Sequence, residues 1–283
     1  MNHLKSFLTA SILTIGLLII VSCSNPSKEY TSWEVYNGGN EAMKYSSLTQ
    51  IDTTNVNQLQ VAWTYHTGDA DDHGSQIQCN PIMVDGILFG VGPQMKLFAI
   101  DASTGKEKWV FDSNSKSITD VNPTSQHIMI NSRGVAYWTD GKEDKRIFFT
   151  AGSNTYAIDA RTGKPISSFG NNGSIDLHDG LGRDVKNLFV VNTSPGTIYK
   201  NLIIVGTRVD EAPPSAPGHI RAFDVFTGKL QWIFHTIPQP GEPGYETWED
   251  KDAWKHIGGA NTWSGFSLDE NRGILFAPTG SAA

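Results

Sequence analysis

Cysteine is scarce: Cys23 and Cys79 are the only two in 283 residues. Cys23 sits in a leader-like N-terminus, so the globular part has no internal disulfide and must be held by packing. Positive charge is also in short supply. Lysine and arginine number 22 against 29 acidic residues, a net charge of −7, with no basic cluster and no aromatic-interleaved basic stretch. That argues against nucleic acid as a partner, while the acidity by itself implies only solubility. Long apolar runs are missing too, apart from Phe7 to Val21, which is short for a bilayer span. Glycine and tryptophan are plentiful instead, at 28 and eight, and the apolar runs are short, which points to an all-β class.

One pattern organises the chain. Ala99-x-Asp101-x-x-Thr104-Gly105-Lys106 returns as Ala157 to Lys164 and again as Ala222 to Lys229. The turn glycines Gly105, Gly163 and Gly228 set periods of 58 and 65 residues, which suit a four-stranded propeller blade with long loops. Asp and Thr can hydrogen-bond the turn backbone, and glycine supplies the positive φ it needs. Four residues on, Trp109 and Trp232 can bury a large ring between blades and still use the N–H. The middle copy departs, with Ser167 in that place and Phe169 two residues later.

Around the repeats, Val61 to Gly68 reads as a strand, and Pro81 to Phe89 as a hairpin with an Asp-Gly turn. Leu48 to Val56 reads as a short capped helix or turn, and Asp69 to His73 as a solvated acidic loop. Ile147 to Ala151, Leu202 to Val205 and Ile274 to Pro278 are apolar runs at similar places in successive blades. A propeller closes to remove sheet edges, so the count of repeats predicts an unfinished ring and about half of a longer protein.

The N-terminus is a separate object. Ile20-Val-Ser-Cys23 after the apolar run resembles a bacterial lipoprotein signal, which implies a signal over 1–22 and a lipidated tether over 23–32. The partial propeller would then occupy 33–283. Acyl chains on Cys23 would hold the protein on the periplasmic side of a membrane in the cell envelope, since each buried CH₂ contributes roughly 0.8 kcal/mol.

Four loops are too specific to be spacers: Ser125-Gln-His127 to Arg133-Gly-Val-Ala-Tyr-Trp138, Val191-Asn-Thr-Ser-Pro195, Thr207-Arg-Val-Asp-Glu211 and Gly258-Gly-Ala-Asn-Thr-Trp263-Ser-Gly265. Together with the repeat they resemble pyrroloquinoline quinone (PQQ)-dependent dehydrogenases, nearest the membrane glucose dehydrogenase branch. The resemblance runs from Trp33 to the end and implies the N-terminal part of an eight-bladed propeller. It also implies a dehydrogenase that oxidises a sugar, polyol or alcohol hydroxyl and passes electrons to ubiquinone or a cytochrome.

Residue by residue, the resemblance implies that Gln78 touches the cofactor and that Arg133 hydrogen-bonds PQQ. A guanidinium suits a ligand with three carboxylates. His127 falls where alcohol dehydrogenases carry a cysteine pair and the glucose branch a histidine. Thr193 matches a hydroxyl on a PQQ carboxylate, and Trp263 matches the flat ring beneath the quinone. Asp210, Glu211 and Ser281 fall near calcium ligands, and calcium takes several hard oxygens. The catalytic Asp of the family lies beyond position 283. A competing reading is a non-catalytic propeller scaffold of the outer-membrane-assembly lipoprotein type, and a third is a sugar-binding propeller. The scaffold would need no Arg133, His127 or Trp263 in axial loops, and the sugar-binding propeller would use the same aromatics without a trianionic ligand.

Overall fold

A computed structural model describes residues 30–70, 76–113 and 131–283. Cys23 and His127 lie outside them. The architecture is all-β, in a series of antiparallel sheets. The first is β1 (Ile82–Val84), β2 (Ile87–Val91), β3 (Leu97–Asp101) and β4 (Glu107–Phe111), paired in that order. The second is β5 (Ala136–Thr139), β6 (Lys145–Ala151), β7 (Asn154–Asp159) and β8 (Ser174–Asp176), again in order. A small ribbon of β9 (Val190–Val191) and β12 (Arg208–Val209) flanks the third sheet, which is β10 (Thr197–Tyr199), β11 (Leu202–Val205), β13 (Ile220–Asp224) and β14 (Leu230–Phe234). β15 (Ser267–Asp269) and β16 (Ile274–Phe276) form a final hairpin. Sequential four-stranded meanders of this kind are propeller blades.

Each repeat is a β3–β4-type hairpin. The Asp101 carboxylate accepts from the backbone N–H of Ser103 and Thr104 and from both their hydroxyls, and Asp159 and Asp224 cap their own turns. The glycines serve two ends. Gly105 and Gly163 have φ near +70°, and a Cβ on either would lie 2.6 Å from the indole of Trp63 or Trp109 on the neighbouring blade. Those indoles donate their N–H to the carbonyls of Ala102 and Ala160, at 3.1 and 3.2 Å. In the middle copy the ring is replaced by fully buried Phe169, which packs on Phe148 at 5.4 Å, while Gly170 and Ile175 meet the Gly228 turn. The core lies between the sheets, in one cluster around Phe89, Leu97 and Phe149 and another around Phe148, Phe169 and Phe223.

Two sequence expectations change. Val61 to Gly68 has no ladder among the described residues, and Val61 is exposed, because no neighbouring segment supplies a strand to pair with it. Trp63 and Tyr65 anchor it, Tyr65 by donating to the Glu107 carboxylate at 2.8 Å and packing its ring on Phe98 at 5.2 Å. Asp69 is not solvated: it is buried, and its carboxylate accepts the Gln94 N–H at 3.0 Å. Leu48 to Val56 is a turn capped by Asp52, leading into one helical turn at Val56–Gln58. Residues 33–40 form a strap across the first strands of the sheets. Trp33 bridges Met83, Tyr36 lies against Gly134, the Asn40 amide donates to the Ile198 carbonyl, and Leu268 N–H donates to the Asn40 carbonyl.

Candidate active site

Four of the expected residues occupy the same place in successive sheets. Gln78 precedes β1, Arg133 precedes β5, Thr193 precedes β10 and Trp263 precedes β15, each by three or four residues. The first strands run side by side, β5 against β10, so their leading ends bring these side chains to one rim.

Backbone hydrogen bonds stitch the rim together. Asn80 N–H donates to the Arg133 carbonyl at 2.9 Å, and Arg133 N–H donates to the Thr193 carbonyl at 2.8 Å. On this frame the Arg133 Nη1 donates to Thr193 Oγ1 at 2.8 Å, and the guanidinium carbon lies 5.2 Å from the Trp263 ring centre. The Trp263 carbonyl accepts from Ser194 Oγ at 2.6 Å, with Thr193 Oγ1 and Arg133 Nη1 at 3.4 and 3.5 Å. The indole is 46% exposed, in contrast to the buried core rings. Gly134 and Gly265, on the loops of Arg133 and Trp263, border Tyr36 of the strap. Gln78 is reached through Asn131, whose amide donates to Gln78 Oε1 at 2.5 Å, while the buried Asn131 Oδ1 has no hydrogen-bond partner among the described residues.

The expected metal residues gather on an adjoining set of loops. Ser215 Oγ donates to the Asp210 carbonyl at 2.6 Å and accepts from Gly259 N–H. Ala260 N–H donates to the Ser281 carbonyl at 2.6 Å, Gly280 N–H to the Asn261 carbonyl, and Asn261 Nδ2 to the Thr207 carbonyl. The segments bearing Asp210, Ser281 and Trp263 are therefore neighbours. Burial pushes the Asp210 carboxyl upward, opposed by the Arg208 charge. Glu211 and Ser281 are exposed. Among the described residues no three His, Cys, Asp or Glu side chains converge as a metal cluster, so a cation here would draw on hydroxyl and carbonyl oxygens as well.

A family model described as "PQQ: Glucose/ethanol/alcohol dehydrogenase, beta-propeller domain" matches residues 33–283. The chain belongs to this family. The quinate/shikimate dehydrogenase (quinone) of Acinetobacter baylyi is 31% identical over 277 residues, covering 92% of this chain and 34% of that protein. The quinoprotein glucose dehydrogenase of Gluconobacter oxydans is 32% identical, covering 88% and 32%. Among solved structures, a quinohaemoprotein alcohol dehydrogenase from Pseudomonas putida superposes with a TM-score of 0.73 at 25% identity, covering 90% of this chain and 35% of that one. A europium-containing methanol dehydrogenase shares the fold, with a TM-score of 0.69 at 24% identity and 89% and 43% coverage. The chain spans about a third of the length of the relatives it matches.

Within this family frame, two residues at the rim escape a reading by motif: Asn131, which holds Gln78, and Ser194, which fixes the Trp263 carbonyl. Both lie in stretches the sequence already singles out. Asn131 is two residues before Arg133, and Ser194 directly follows Thr193. A rule that also tests the neighbours of each matched residue would have found them.

Proposed function

We propose that this chain supplies the PQQ-holding part of a quinoprotein dehydrogenase that oxidises the hydroxyl of a sugar, polyol, hydroxy acid or other alcohol. The observation that carries the reading is the Arg133–Thr193–Trp263 constellation: a guanidinium and a hydroxyl hydrogen-bonded to each other beside an exposed flat ring. The residues fit such a group. Arg133 can neutralise carboxylates, Thr193 can donate to them, Trp263 can support a planar ring system, and Gln78 with Asn131 Oδ1 supplies amide contacts. His127 stands beside them in the sequence reading. When bound, PQQ supplies the two-electron acceptor. Asp210, with Glu211 and Ser281, would hold a calcium ion by hard oxygen donors, and the proton-abstracting carboxylate is expected outside residues 1–283.

The relatives act on substrates as different as quinate and glucose, so this chain's own substrate is left at the class of CH–OH compounds. The acceptor in this reading is ubiquinone or a cytochrome. Lipid on Cys23 would place the enzyme on the periplasmic side of the bacterial cell envelope. Among the described residues, no helix is long and apolar enough to cross a membrane.

Fluorescence titration of the intact protein with PQQ tests the reading. Arg133→Ala should weaken binding about tenfold to a hundredfold, as expected for losing a charge-assisted hydrogen bond worth about 1.5–3 kcal/mol. Undiminished binding in both Arg133→Ala and Trp263→Ala would remove this pocket from consideration and favour a scaffold propeller.

A further inference from the structure

The junction between the β5–β8 sheet and the β10–β14 sheet contains a buried cation to which, among the described residues, no carboxylate is hydrogen-bonded. Arg221 lies on β13 and is 0% exposed. It stands where the other two repeats carry aromatic residues, Phe98 and Tyr156. Its side chain shares a face with Phe223, which packs against Leu177, Leu181 and Val185, while Ile220 and Ala222 face the other way. The Nη1 group donates to the Asp179 carbonyl at 2.7 Å, but the Nε and Nη2 groups, buried as well, have no hydrogen-bond partner among the described residues. Those two N–H groups form the parallel edge of the guanidinium that grips an anion.

The neighbouring carboxylates are committed elsewhere. Asp176 accepts from His178 at 2.7 Å, and Glu242 accepts from His235 at 2.7 Å and from Gln239 N–H. Asp179 meets Arg221 through its carbonyl, and the charges of Asp176 and Asp179 both act on the guanidinium at longer range without a hydrogen bond to it. His219, two residues before Arg221 on the same face, is also buried. Its Nδ1 accepts the Thr236 N–H at 3.2 Å, which leaves the ring proton on Nε2 as a further donor. Arg183 adds a buried Nη1 with no hydrogen-bond partner among the described residues, its Nη2 being held by the Ser215 carbonyl at 2.6 Å.

A fully buried guanidinium with one hydrogen bond is costly. A water in the gap would accept N–H groups but bring no charge. We propose that the Nε–Nη2 edge of Arg221, with His219 beside it, is a buried site for a small monovalent anion of halide or formate size, set between two blades. The anion balances the guanidinium in the column where the other repeats place an aromatic ring, alongside the packing of Trp138 on Phe226 and Phe148 on Phe169. The site has a structural consequence as well: Arg183 holds Ser215, and Ser215 holds the Asp210 carbonyl, so the junction anchors the loop that carries Asp210. None of this depends on PQQ.

Crystals of the intact protein grown with sodium bromide, and separately with sodium formate, decide the matter. A bromine anomalous peak, or planar formate density, within hydrogen-bonding distance of Arg221 Nε and Nη2 is the expected result, and which of the two appears identifies the class. A water or empty density there in both overturns the proposal. In solution, bromide or formate should raise the melting temperature over gluconate at equal ionic strength by about 3 °C at ten times the dissociation constant. Arg221→Met should abolish that difference and Arg221→Lys should reduce it. An equal response in Arg221→Met also overturns the site, and if that variant does not fold, diffraction from the native protein stands as the test.

Discussion

Two junctions built from the same repeat are held in different ways. Between the β1–β4 and β5–β8 sheets, Trp109 covers the Gly163 turn, and Phe111, Phe149 and Tyr156 form an aromatic cluster with ring centres 5.4–5.8 Å apart. Between the β5–β8 and β10–β14 sheets the tryptophan is lost, Phe169 fills its place, and the position of Tyr156 belongs to Arg221. Arg146 adds to the polarity of this second junction. It pairs with Asp144, donates to the Val225 carbonyl, and lies over Trp138 and Phe226. The comparison teaches that the repeat fixes where the turns meet but not what is buried behind them. One junction sets an aromatic ring on the turn glycine, and the other sets Gly170 and Ile175 there, with Phe169 on Phe148 and Trp138 on Phe226 packed beside buried charge.

The largest effect should come from removing Phe169. Phe169→Ala leaves a cavity against Phe148 in the junction whose Gly228 turn has no tryptophan over it, and it should cost about 3–5 kcal/mol by denaturant unfolding. A loss under about 1 kcal/mol would mean that Gly170 and Ile175 hold the Gly228 turn unaided. Next is the glycine beneath Trp109. Gly163→Ala meets both a positive φ and an indole 2.6 Å from the new Cβ, whereas Gly152→Ala meets a positive φ with nothing within 4 Å. The first should lose about 3 kcal/mol and the second about 1 kcal/mol. Equal losses would show that backbone strain alone, and not the docked ring, governs these turns. Smaller still is Trp109→Phe, which keeps an aromatic ring but leaves the Ala160 carbonyl without its donor. A loss of about 1 kcal/mol is expected, read as a drop in melting temperature.

Much of this frame was legible in the sequence, because turn chemistry and period are local. Asp101, Thr104 and Gly105 announce their turn wherever the chain goes, and three copies specify repeated hairpins. Arg133, Thr193 and Trp263 were legible by resemblance, and their convergence follows from sharing one place ahead of each first strand. Other features depend on contacts that no local rule encodes. The strap of residues 33–40 reads only as a beginning, since its partners Met83, Ile198 and Leu268 are distant in the chain. Asp69 reads as solvated because its acidic neighbours do, yet the Gln94 amide draws it inside. Nothing in the residues next to Arg221 signals its burial. Only alignment of the repeats, with Phe98 and Tyr156 in its column, marks it as a charge in a core position.

The smallest expected effect concerns the acid side of that charged junction. His219 is held down to about 3, first by burial and then by the charges of His235, Arg221 and Arg183, with Glu242 pulling the other way. A histidine depressed on folding binds its proton in the unfolded chain first. Its contribution to stability is therefore intact above the unfolded value near 6.5 and is lost as pH falls from there toward about 3. Between pH 7 and pH 6 the loss should be about 0.7 kcal/mol, steepening to at most about 1.4 kcal/mol per pH unit below that. His219→Gln retains a polar side chain without the titration, so its stability profile should be flatter than the native one by that amount across this window. His178 moves the other way. Asp176 raises it, so the pair stabilises the fold while His178 is protonated and loses that contribution as pH rises through the raised value. The native profile should thus fall off on both flanks, with the acid flank belonging to the junction that has arginine in place of an aromatic ring. If His219→Gln leaves the acid flank unchanged, His219 is hydrated in the native protein, and the second junction is more open to water than its burial indicates.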